Sequence, residues 1–209
     1  MRRWIGLLRS LLLYWRPGRQ RGLRRLYEPF VGREDLVFDV GAHLGDRTAA
    51  FSALGARVVA LEPQPFLLPW LRLLVGRRSG VTVLDEAVGS EPGTTRLWVS
   101  AGTPTVSTVA EGWKERLPVA NSTFRRVRWE EEVEVPLTTL DRLIERYGIP
   151  CFCKIDVEGH EAAVLAGLSR PLPALSVEFV AGGLDVALAC VRRLEELGSY
   201  EFNAVAGEE

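Results

Sequence analysis

Acids and glycines come together at the end of a predicted strand near the front of the chain. The apolar run from Leu36 ends in Asp39, and Gly41 and Gly45 follow before a predicted helix. A buried strand that stops at a tight turn and continues as a helix leaves backbone N–H groups pointing into a crevice. Glycine lets a ligand approach that backbone. The sequence therefore predicts a cofactor turn, with contacts made by Asp39, Gly41, Ala42, His43 and Gly45.

Glu62 favours a nucleotide as that cofactor. It ends a second apolar run that begins at Arg57. An acid about 20 residues beyond the first strand can reach a ribose hydroxyl in nucleotide-binding βαβ units, and the spacing from Asp39 is only a little longer.

A second acidic stretch follows a later predicted strand. Asp156, Glu158 and His160 come after Lys154, at the sheet edge where open α/β folds place their ligands. Lys154 and Asp156 face one side of the strand. A lysine on a central strand must be paired. The available partners are Asp156, Asp39 and Glu178.

Strands alternate with helices along most of the 209 residues, which is typical of one α/β domain with a mostly parallel sheet and helices on both faces. Asp85 and Glu86 follow the third strand, where an acid is well placed for an adenine amino group. The predicted strands are 36–40, 57–62, 81–84, 95–99, 127–136 (exposed and antiparallel), 152–155, 175–180 and 200–205. The predicted helices are 47–51, 66–74, 138–147, 162–168 and 184–197.

Two segments stand apart from this alternation. Residues 100–121 form a long excursion rich in glycine, proline, serine and threonine, which we assign to a substrate lid because long loops are usually functional or mobile. Residues 1–30 carry eight arginines and one acid, so their net charge is +7 against −8 for the remainder. The predicted organisation is a basic helical segment over 1–30 and a catalytic domain over 31–209.

The basic segment has an apolar stripe at helical spacing. It is too short and too interrupted for a membrane span, and no signal-peptide cleavage pattern follows. Docking on the acidic remainder is favoured because apolar stripes are usually core faces, while contact with an anionic membrane surface is the alternative. The stripe consists of Trp4, Leu7, Leu8, Leu11, Leu12 and Trp15.

Composition excludes several classes. A net charge of −1 gives no sign of a nucleic-acid partner. Cys151 and Cys153 are two residues apart, which suits neither a redox pair nor a zinc knuckle. Buried free thiols indicate a reducing compartment, so we expect a cytoplasmic protein that can also lie at the membrane surface.

The cofactor turn resembles motif I of class I S-adenosylmethionine-dependent methyltransferases. Together with the segments VVALEPQP, LDEAVGSEPG, VPLTTLDRLI and KIDVEGHEAAVLAGL, it resembles the FkbM family of methyltransferases over about residues 35–180. The resemblance implies the class I methyltransferase fold, S-adenosylmethionine as cofactor and a hydroxyl of a sugar or other small metabolite as methyl acceptor. It also implies which residues contact each part of the cofactor. The methionine end would be bound by Asp39, Gly41 and Gly45 and the ribose by Glu62. The adenine would lie near Asp85 or Glu86, and the sulfonium beside Asp156.

An alcohol is a poor nucleophile, so a group must accept its proton. With Asp156 beside the sulfonium, His160 is the favoured base because its pKa suits proton transfer near neutrality. A divalent metal held by Asp156 and Glu158 is the runner-up. Structural roles are also open, since Glu158 and Glu161 can complement a helix N-terminus and His160 can be solvated.

The sequence departs in two places from the pattern of the FkbM family and of the class I methyltransferase fold. The FkbM family often has asparagine at the position of His43. Class I folds also end in an antiparallel strand beside the fifth strand, and this strand is expected to be absent here. The rival functions are an NAD-dependent oxidoreductase, disfavoured because the G-x-G-x-x-G pattern is missing, and a non-catalytic membrane-surface module.

Overall fold

The computed structural model describes residues 1–180 and 182–205. Its helices are α1 (Arg2–Tyr14), α2 (Arg19–Tyr27), α3 (Asp46–Ala53), α4 (Leu68–Leu74), α5 (Trp113–Ala120), α6 (Leu140–Tyr147), α7 (Glu161–Ala166) and α8 (Leu184–Leu197). Its strands are β1 (Leu36–Val40), β2 (Arg57–Leu61), β3 (Val81–Leu84), β4 (Ala87–Val88), β5 (Gly93–Val99), β6 (Glu131–Thr138), β7 (Phe152–Ile155) and β8 (Leu175–Val177). Two 3₁₀ turns cover Pro104–Val106 and Ser122–Phe124.

Five strands form a parallel sheet in the order β3-β2-β1-β7-β8. All five residues of β1 are buried, as expected for a strand covered on both faces. In the register of the sheet, Asp39 lies opposite Ala60 of β2 and Lys154 of β7. Strands β2 and β3 lie on one side of β1, whereas β7 and β8 lie on the other. The strand order therefore reverses between β1 and β7, and an open α/β sheet binds its ligand at such a point. The predicted fold class is confirmed.

Helices cover both faces of the sheet. Phe38 lies in a buried cluster with Leu165 of α7, whereas its neighbour Val37 lies in another cluster with Phe51 of α3 and Leu23 of α2. Successive residues of a strand point to opposite faces, so β1 contributes to both cores. The three cysteines are unpaired thiols, and two of them are fully buried.

A smaller sheet, with the order β4-β6-β5, follows the third strand of the main sheet. β5 and β6 are antiparallel, which confirms the predicted direction, although the strand predicted for 127–136 starts later and runs over Glu131–Thr138. The short strand β4 pairs in parallel with β6.

Two segments differ from the sequence prediction. The excursion 100–121 is not loop throughout: it contains a 3₁₀ turn and α5, because Trp113 and Leu117 are buried one helical turn apart and anchor a helix despite Pro118. Residues 200–205 form no strand. The Tyr200 hydroxyl instead donates to the carbonyl of Leu172 and accepts from the N–H of Leu172. This segment is therefore held by side-chain hydrogen bonds rather than by strand pairing.

The N-terminal segment packs on the domain as two helices. Leu7 of α1 lies in a buried cluster with Leu44 and Leu67, and the Trp15 indole donates to the Leu44 carbonyl at 3.2 Å. The buried residues of α1 are Gly6, Leu7 and Ser10, so only part of the predicted stripe docks. No helix in the described ranges is long and apolar enough to cross a membrane.

Candidate active site

A cavity of about 280 Å³ opens at the switch point of the sheet. The turn between β1 and α3 forms one wall, and the turn between β7 and α7 forms another. We call these the cofactor turn (residues 41–45) and the second turn (residues 156–160). The structure thus brings both predicted stretches to one site. The predicted site residues that line the cavity are Gly41, His43, Glu62, Glu86, Asp156 and Glu158.

Gly41 allows the two turns to touch. Its φ is 79°, and a Cβ at this position would collide with the carbonyl oxygen of Asp156. The N–H groups of Gly41 and Ala42 donate to the Leu61 carbonyl at 3.0 and 2.8 Å. Only glycine permits this backbone conformation at such close approach, so the position of the turn depends on this residue.

The remainder of the cofactor turn carries His43 and ends at Gly45. Gly45 has a φ of 78° and packs against Leu71, where a Cβ would not fit. The His43 ring makes an edge contact with Tyr14, with centroids 5.1 Å apart. Both its ring nitrogens are buried without a partner among the described residues, and burial lowers the pKa of His43 to about 4. The imidazole beside the cavity is therefore neutral at physiological pH.

Glu62 ties the cofactor turn to the next segment. Its two carboxylate oxygens accept from the His43 N–H at 2.8 Å and the Gln64 N–H at 2.9 Å. Each carboxylate oxygen has two lone pairs, so each can accept one more hydrogen bond from a ligand such as a ribose diol. Burial raises the pKa of Glu62 to about 7 despite these two N–H donors. The residue fits the predicted ribose contact.

A buried ion cluster supports both turns from below. The Lys154 Nζ lies 3.5 Å from Asp39 and 3.2 Å from Asp156, and it donates to the Gly41 carbonyl at 2.8 Å. Asp39 also accepts from the Thr48 hydroxyl at 2.5 Å. Burial would lower the pKa of Lys154, but the two carboxylates raise it. The predicted pairing of Lys154 is confirmed.

Three carboxylates meet in the wall of the cavity. Oxygens of Asp156, Glu158 and Glu178 lie within 4.8 Å of one another. Burial would raise the pKa of Asp156, but Lys154 and a hydrogen bond from Glu178 hold it well below its usual range. The same hydrogen bond, with burial, raises the pKa of Glu178 to about 10. Asp156 is thus the charged member and Glu178 the protonated one, while burial and Asp156 raise the pKa of Glu158.

The second turn is held by Glu161 and covered by α5. Glu161 accepts from the N–H groups of Val157 and Gly159, both at 3.1 Å. Gly159 has a φ of 92° and lies against the Trp113 ring, where a Cβ would not fit. Glu158 has a φ of 55°, a conformation that costs a non-glycine residue about 1–3 kcal/mol and is concentrated at functional sites. The turn therefore aims Glu158 at the cavity.

Five predicted site residues do not line the cavity: Asp39, Ala42 and Gly45, which belong to β1 and the cofactor turn, and Asp85 and His160. Asp85 is exposed and lies 3.8 Å from Arg72, whereas its neighbour Glu86 lines the cavity and pairs with Arg146 at 3.1 Å. His160 is not among the lining residues. Its Nε2 lies beside Gly89, 3.2 Å from the position that a Cβ on Gly89 would take, so the imidazole packs against the backbone that follows β4.

Three ionisable lining residues were not predicted as site residues: Tyr14, Arg47 and Glu178. Glu178 could have been found from the sequence, because it follows β8 at the same sheet edge as Asp156. Arg47 lies in the predicted helix that follows the cofactor turn. Tyr14 had no sequence signal, because it belongs to α1 and reaches the cavity only through tertiary packing.

Comparison with known families identifies the family to which the chain belongs. The methyltransferase FkbM domain matches residues 39–181, a range that contains both turns, Glu62 and Glu178. The chain belongs to the FkbM methyltransferase family. The family implies S-adenosylmethionine as methyl donor, in agreement with the prediction, and the NAD-dependent alternative is not retained.

One relative and two solved structures that the chain resembles are 30% or less identical to it in sequence. The chain is 30% identical over 165 residues to the hexuronic acid methyltransferase AglP of Haloferax volcanii, and the alignment covers 78% of this chain and 61% of that protein. Among solved structures it is similar to a precorrin-6y C5,15-methyltransferase from Geobacter metallireducens, with 15% identity, a TM-score of 0.49 and coverage of 86% and 70%. A TehB-like methyltransferase from Corynebacterium glutamicum has 15% identity, a TM-score of 0.42 and coverage of 82% and 71%.

Proposed function

We propose that this protein is an S-adenosylmethionine-dependent O-methyltransferase whose acceptor is a sugar or another small hydroxylated metabolite. The observation that carries the proposal is the shared cavity, which joins Glu62 beside the cofactor turn to the carboxylates of the second turn. The named activity of the Haloferax relative on hexuronic acid supports a sugar acceptor.

Bound S-adenosylmethionine supplies an electrophilic methyl group on a sulfonium and leaves as S-adenosylhomocysteine. The acceptor oxygen forms a bond to the methyl carbon as the carbon–sulfur bond breaks, and the sulfur keeps the electron pair. The protein must then align the reactants, exclude water and accept the proton of the acceptor hydroxyl. Glu62 would hold the ribose, and the N–H groups and glycines of the cofactor turn would admit the methionine end.

Glu158 is the proposed proton acceptor. It lines the cavity and its pKa is raised by burial and by Asp156, which makes its carboxylate a stronger base than an ordinary glutamate. Asp156 is held ionised by Lys154 at 3.2 Å and would face the sulfonium. We do not keep His160 as the base, because its Nε2 lies toward Gly89.

A divalent metal is the competing account of the same carboxylates. The structure adds Glu178 to the pair predicted from the sequence, and three oxygen ligands suit magnesium or manganese. Methyl transfer measured after EDTA treatment separates the two accounts. The Glu158 base predicts an unchanged rate, whereas a metal site predicts loss of transfer that added magnesium restores.

The acceptor is tested with labelled S-adenosylmethionine and a panel of hexuronic acids, the matching neutral hexoses and non-sugar alcohols. The proposal expects label in a sugar product that survives mild alkali, because an ether is stable where a methyl ester is hydrolysed. Label released by alkali from a hexuronic acid product would place the methyl group on a carboxylate and contradict hydroxyl methylation. No transfer to any member would contradict the acceptor class.

We also propose that α1 lets the protein bind anionic membrane surfaces. Ile5, Leu8 and Leu12 are 59–70% exposed and lie on one side of a helix within the basic segment, a pattern typical of interfacial binding. Sedimentation with phosphatidylcholine vesicles, with and without phosphatidylserine, tests this. Binding that needs phosphatidylserine and is lost in Leu8→Gln/Leu12→Gln is expected, and no binding of the wild type would contradict it.

A further inference from the structure

We propose that Thr108 is a positioning residue for Glu158, because its hydroxyl holds the peptide group that sets the direction of the Glu158 side chain. The inference rests on Glu158 as the proton acceptor, which is part of the function proposed above. It assigns a role to a residue of the excursion 100–121, which belongs to neither turn of the main sheet.

The backbone at Glu158 needs support from its surroundings. Its φ is 55°, a conformation that persists in a non-glycine residue only where neighbouring contacts hold it. Gly159 follows with a φ of 92°. Both residues of this pair thus have positive φ, and a rotation of the peptide group between them would turn the Glu158 carboxylate away from the cavity.

Two side chains hold this peptide group, one on each side. The Glu161 carboxylate accepts a hydrogen bond from the Gly159 N–H at 3.1 Å. The Thr108 hydroxyl donates to the Glu158 carbonyl at 2.7 Å. Because the Glu158 carbonyl and the Gly159 N–H belong to the same planar peptide unit, the two hydrogen bonds together fix its orientation.

A further hydrogen bond directs the proton of the Thr108 hydroxyl. The Ala110 N–H donates to Thr108 Oγ1 at 3.0 Å. A hydroxyl has one proton and two lone pairs, so with Ala110 on a lone pair the proton remains for the Glu158 carbonyl. Thr108 is only 1% exposed, so both hydrogen bonds are shielded from solvent.

The smaller sheet holds Thr108 in place. The Thr108 N–H donates to the Trp98 carbonyl at 3.0 Å, and the Thr108 carbonyl accepts from the Trp98 N–H at 2.8 Å. These two bonds form an antiparallel bridge to β5. The preceding residue, Ser107, accepts from the side-chain amide of Gln64 at 3.3 Å. A hydroxyl on a well-anchored segment therefore orients the second turn.

The test measures S-adenosylhomocysteine affinity by calorimetry, and kcat and KM for methyl transfer from labelled S-adenosylmethionine to glucuronic acid. Thr108→Val keeps the shape of the side chain and removes the hydroxyl. We expect kcat to fall by about tenfold or more, because a misplacement of about 1 Å can cost about a hundredfold in rate. Cofactor affinity and the KM for glucuronic acid should stay within about threefold of the wild type.

Thr108→Ser restores the hydroxyl and should recover most of the rate. Thr103→Val is the matched control, because Thr103 lies in the same segment, makes no side-chain cap hydrogen bond and does not line the cavity. Its kcat should equal that of the wild type. Thermal unfolding checks that each variant is folded. Thr108→Ala leaves room for a water molecule, and it should show the same loss of kcat if Thr108→Val does not fold.

A double variant tests whether Thr108 acts through Glu158. Thr108→Val/Glu158→Gln should be no more than about twofold slower than Glu158→Gln alone, because residues that act as a unit have non-additive effects. Additive losses would overturn the inference, since Thr108 would then act independently of Glu158.

A wild-type kcat in folded Thr108→Val or Thr108→Ala would also overturn the inference, as would a Thr108→Ser variant as slow as Thr108→Val. A raised KM for glucuronic acid with unchanged kcat would overturn it too, because Thr108 would then bind the acceptor directly. A normal rate in Glu158→Gln, or no transfer by the wild type, would overturn the proposed function, and this inference with it.

Discussion

The cofactor turn and the second turn leave adjacent strands of the sheet and are built in similar ways. Each holds a non-glycine residue at positive φ, His43 at 50° and Glu158 at 55°. Each is also held by a nearby glutamate that accepts two backbone N–H bonds. Glu62 accepts from His43 of the cofactor turn and from Gln64, and Glu161 accepts from two residues of the second turn.

The two glutamates differ in what else they can reach. Glu62 lines the cavity, so the carboxylate that ties the cofactor turn can also bind a ligand. Glu161 is only 3% exposed and lies outside the main cavity, so it serves the structure of the second turn alone. The second turn instead presents Glu158 and Asp156 to the cavity. One turn is thus suited to binding and the other to proton transfer.

The largest expected effect comes from separating the two turns at their point of contact. Gly41→Ala forces a Cβ against the Asp156 carbonyl at a φ of 79°, and overpacking and backbone strain together should cost about 3 kcal/mol or more of unfolding free energy. Chemical denaturation measures this. Gly22→Ala, in a helix with open space around the added Cβ, is the matched control and should be neutral or stabilising. Equal stability of the two variants would show that the turns do not depend on this contact.

Loss of the binding glutamate should have the next largest effect. Glu62→Ala removes the proposed ribose acceptor and the hydrogen bonds from the His43 and Gln64 N–H groups. Since each hydrogen bond to a charged group contributes about 1.5–3 kcal/mol, S-adenosylhomocysteine should bind at least about tenfold more weakly in calorimetry. Glu86→Ala, at the rim of the cavity, should weaken binding less. Wild-type affinity in Glu62→Ala would refute the ribose assignment.

Loss of the structural glutamate should affect stability rather than binding. Glu161→Ala leaves the N–H groups of Val157 and Gly159 without their acceptor, and an unsatisfied buried group costs about 1–3 kcal/mol. Denaturation should therefore report a less stable protein, while S-adenosylhomocysteine affinity falls only a few-fold. A variant with full stability and no cofactor binding would reverse the roles assigned to the two glutamates.

The smallest predicted effect is a pH dependence of cofactor affinity. The pKa of Glu62 is raised to about 7 by burial, and in the proposed site the ionised carboxylate would accept hydrogen bonds from both ribose hydroxyls. Affinity for S-adenosylhomocysteine should rise by about tenfold from pH 6 to pH 8, and Glu62→Gln should show no such rise. A wild-type affinity that does not change with pH would contradict the raised pKa.

The same carboxyl group affects the stability of the ligand-free protein in the opposite direction. Because its folded pKa lies above the ordinary value of 4.5, its contribution to stability is complete below that value. The contribution is lost as the pH rises through about 7. Thermal unfolding without ligand, measured below pH 4.5 and above pH 7, checks whether this contribution to stability falls as the pH rises.

Much of the site could be predicted from the sequence because strands impose a regular geometry. The period of two and the parallel register place Asp39, Lys154 and Asp156 together, and acids after successive parallel strands meet at one edge. The regularity ends where the strand ends. Glu158 and Gly159 both have positive φ, so the direction of His160 could not be obtained by counting residues from Asp156.

Parts of the fold that depend on tertiary contacts could not be predicted. The helix α5 exists because Trp113 and Leu117 find a buried surface, which the composition of 100–121 does not indicate. Tyr200 binds Leu172 through its side chain, so a β-prone segment forms no strand. Tyr14 reaches the cavity only because α1 docks on the cofactor turn.

The division of work between the two turns is tested most directly by Glu158→Gln, with cofactor binding and methyl transfer measured on the same preparation. We predict S-adenosylhomocysteine affinity within about threefold of the wild type and a transfer rate lower by about a hundredfold or more, the usual contribution of a general base. A normal transfer rate in this variant, or a loss of cofactor affinity equal to that of Glu62→Ala, would contradict the account.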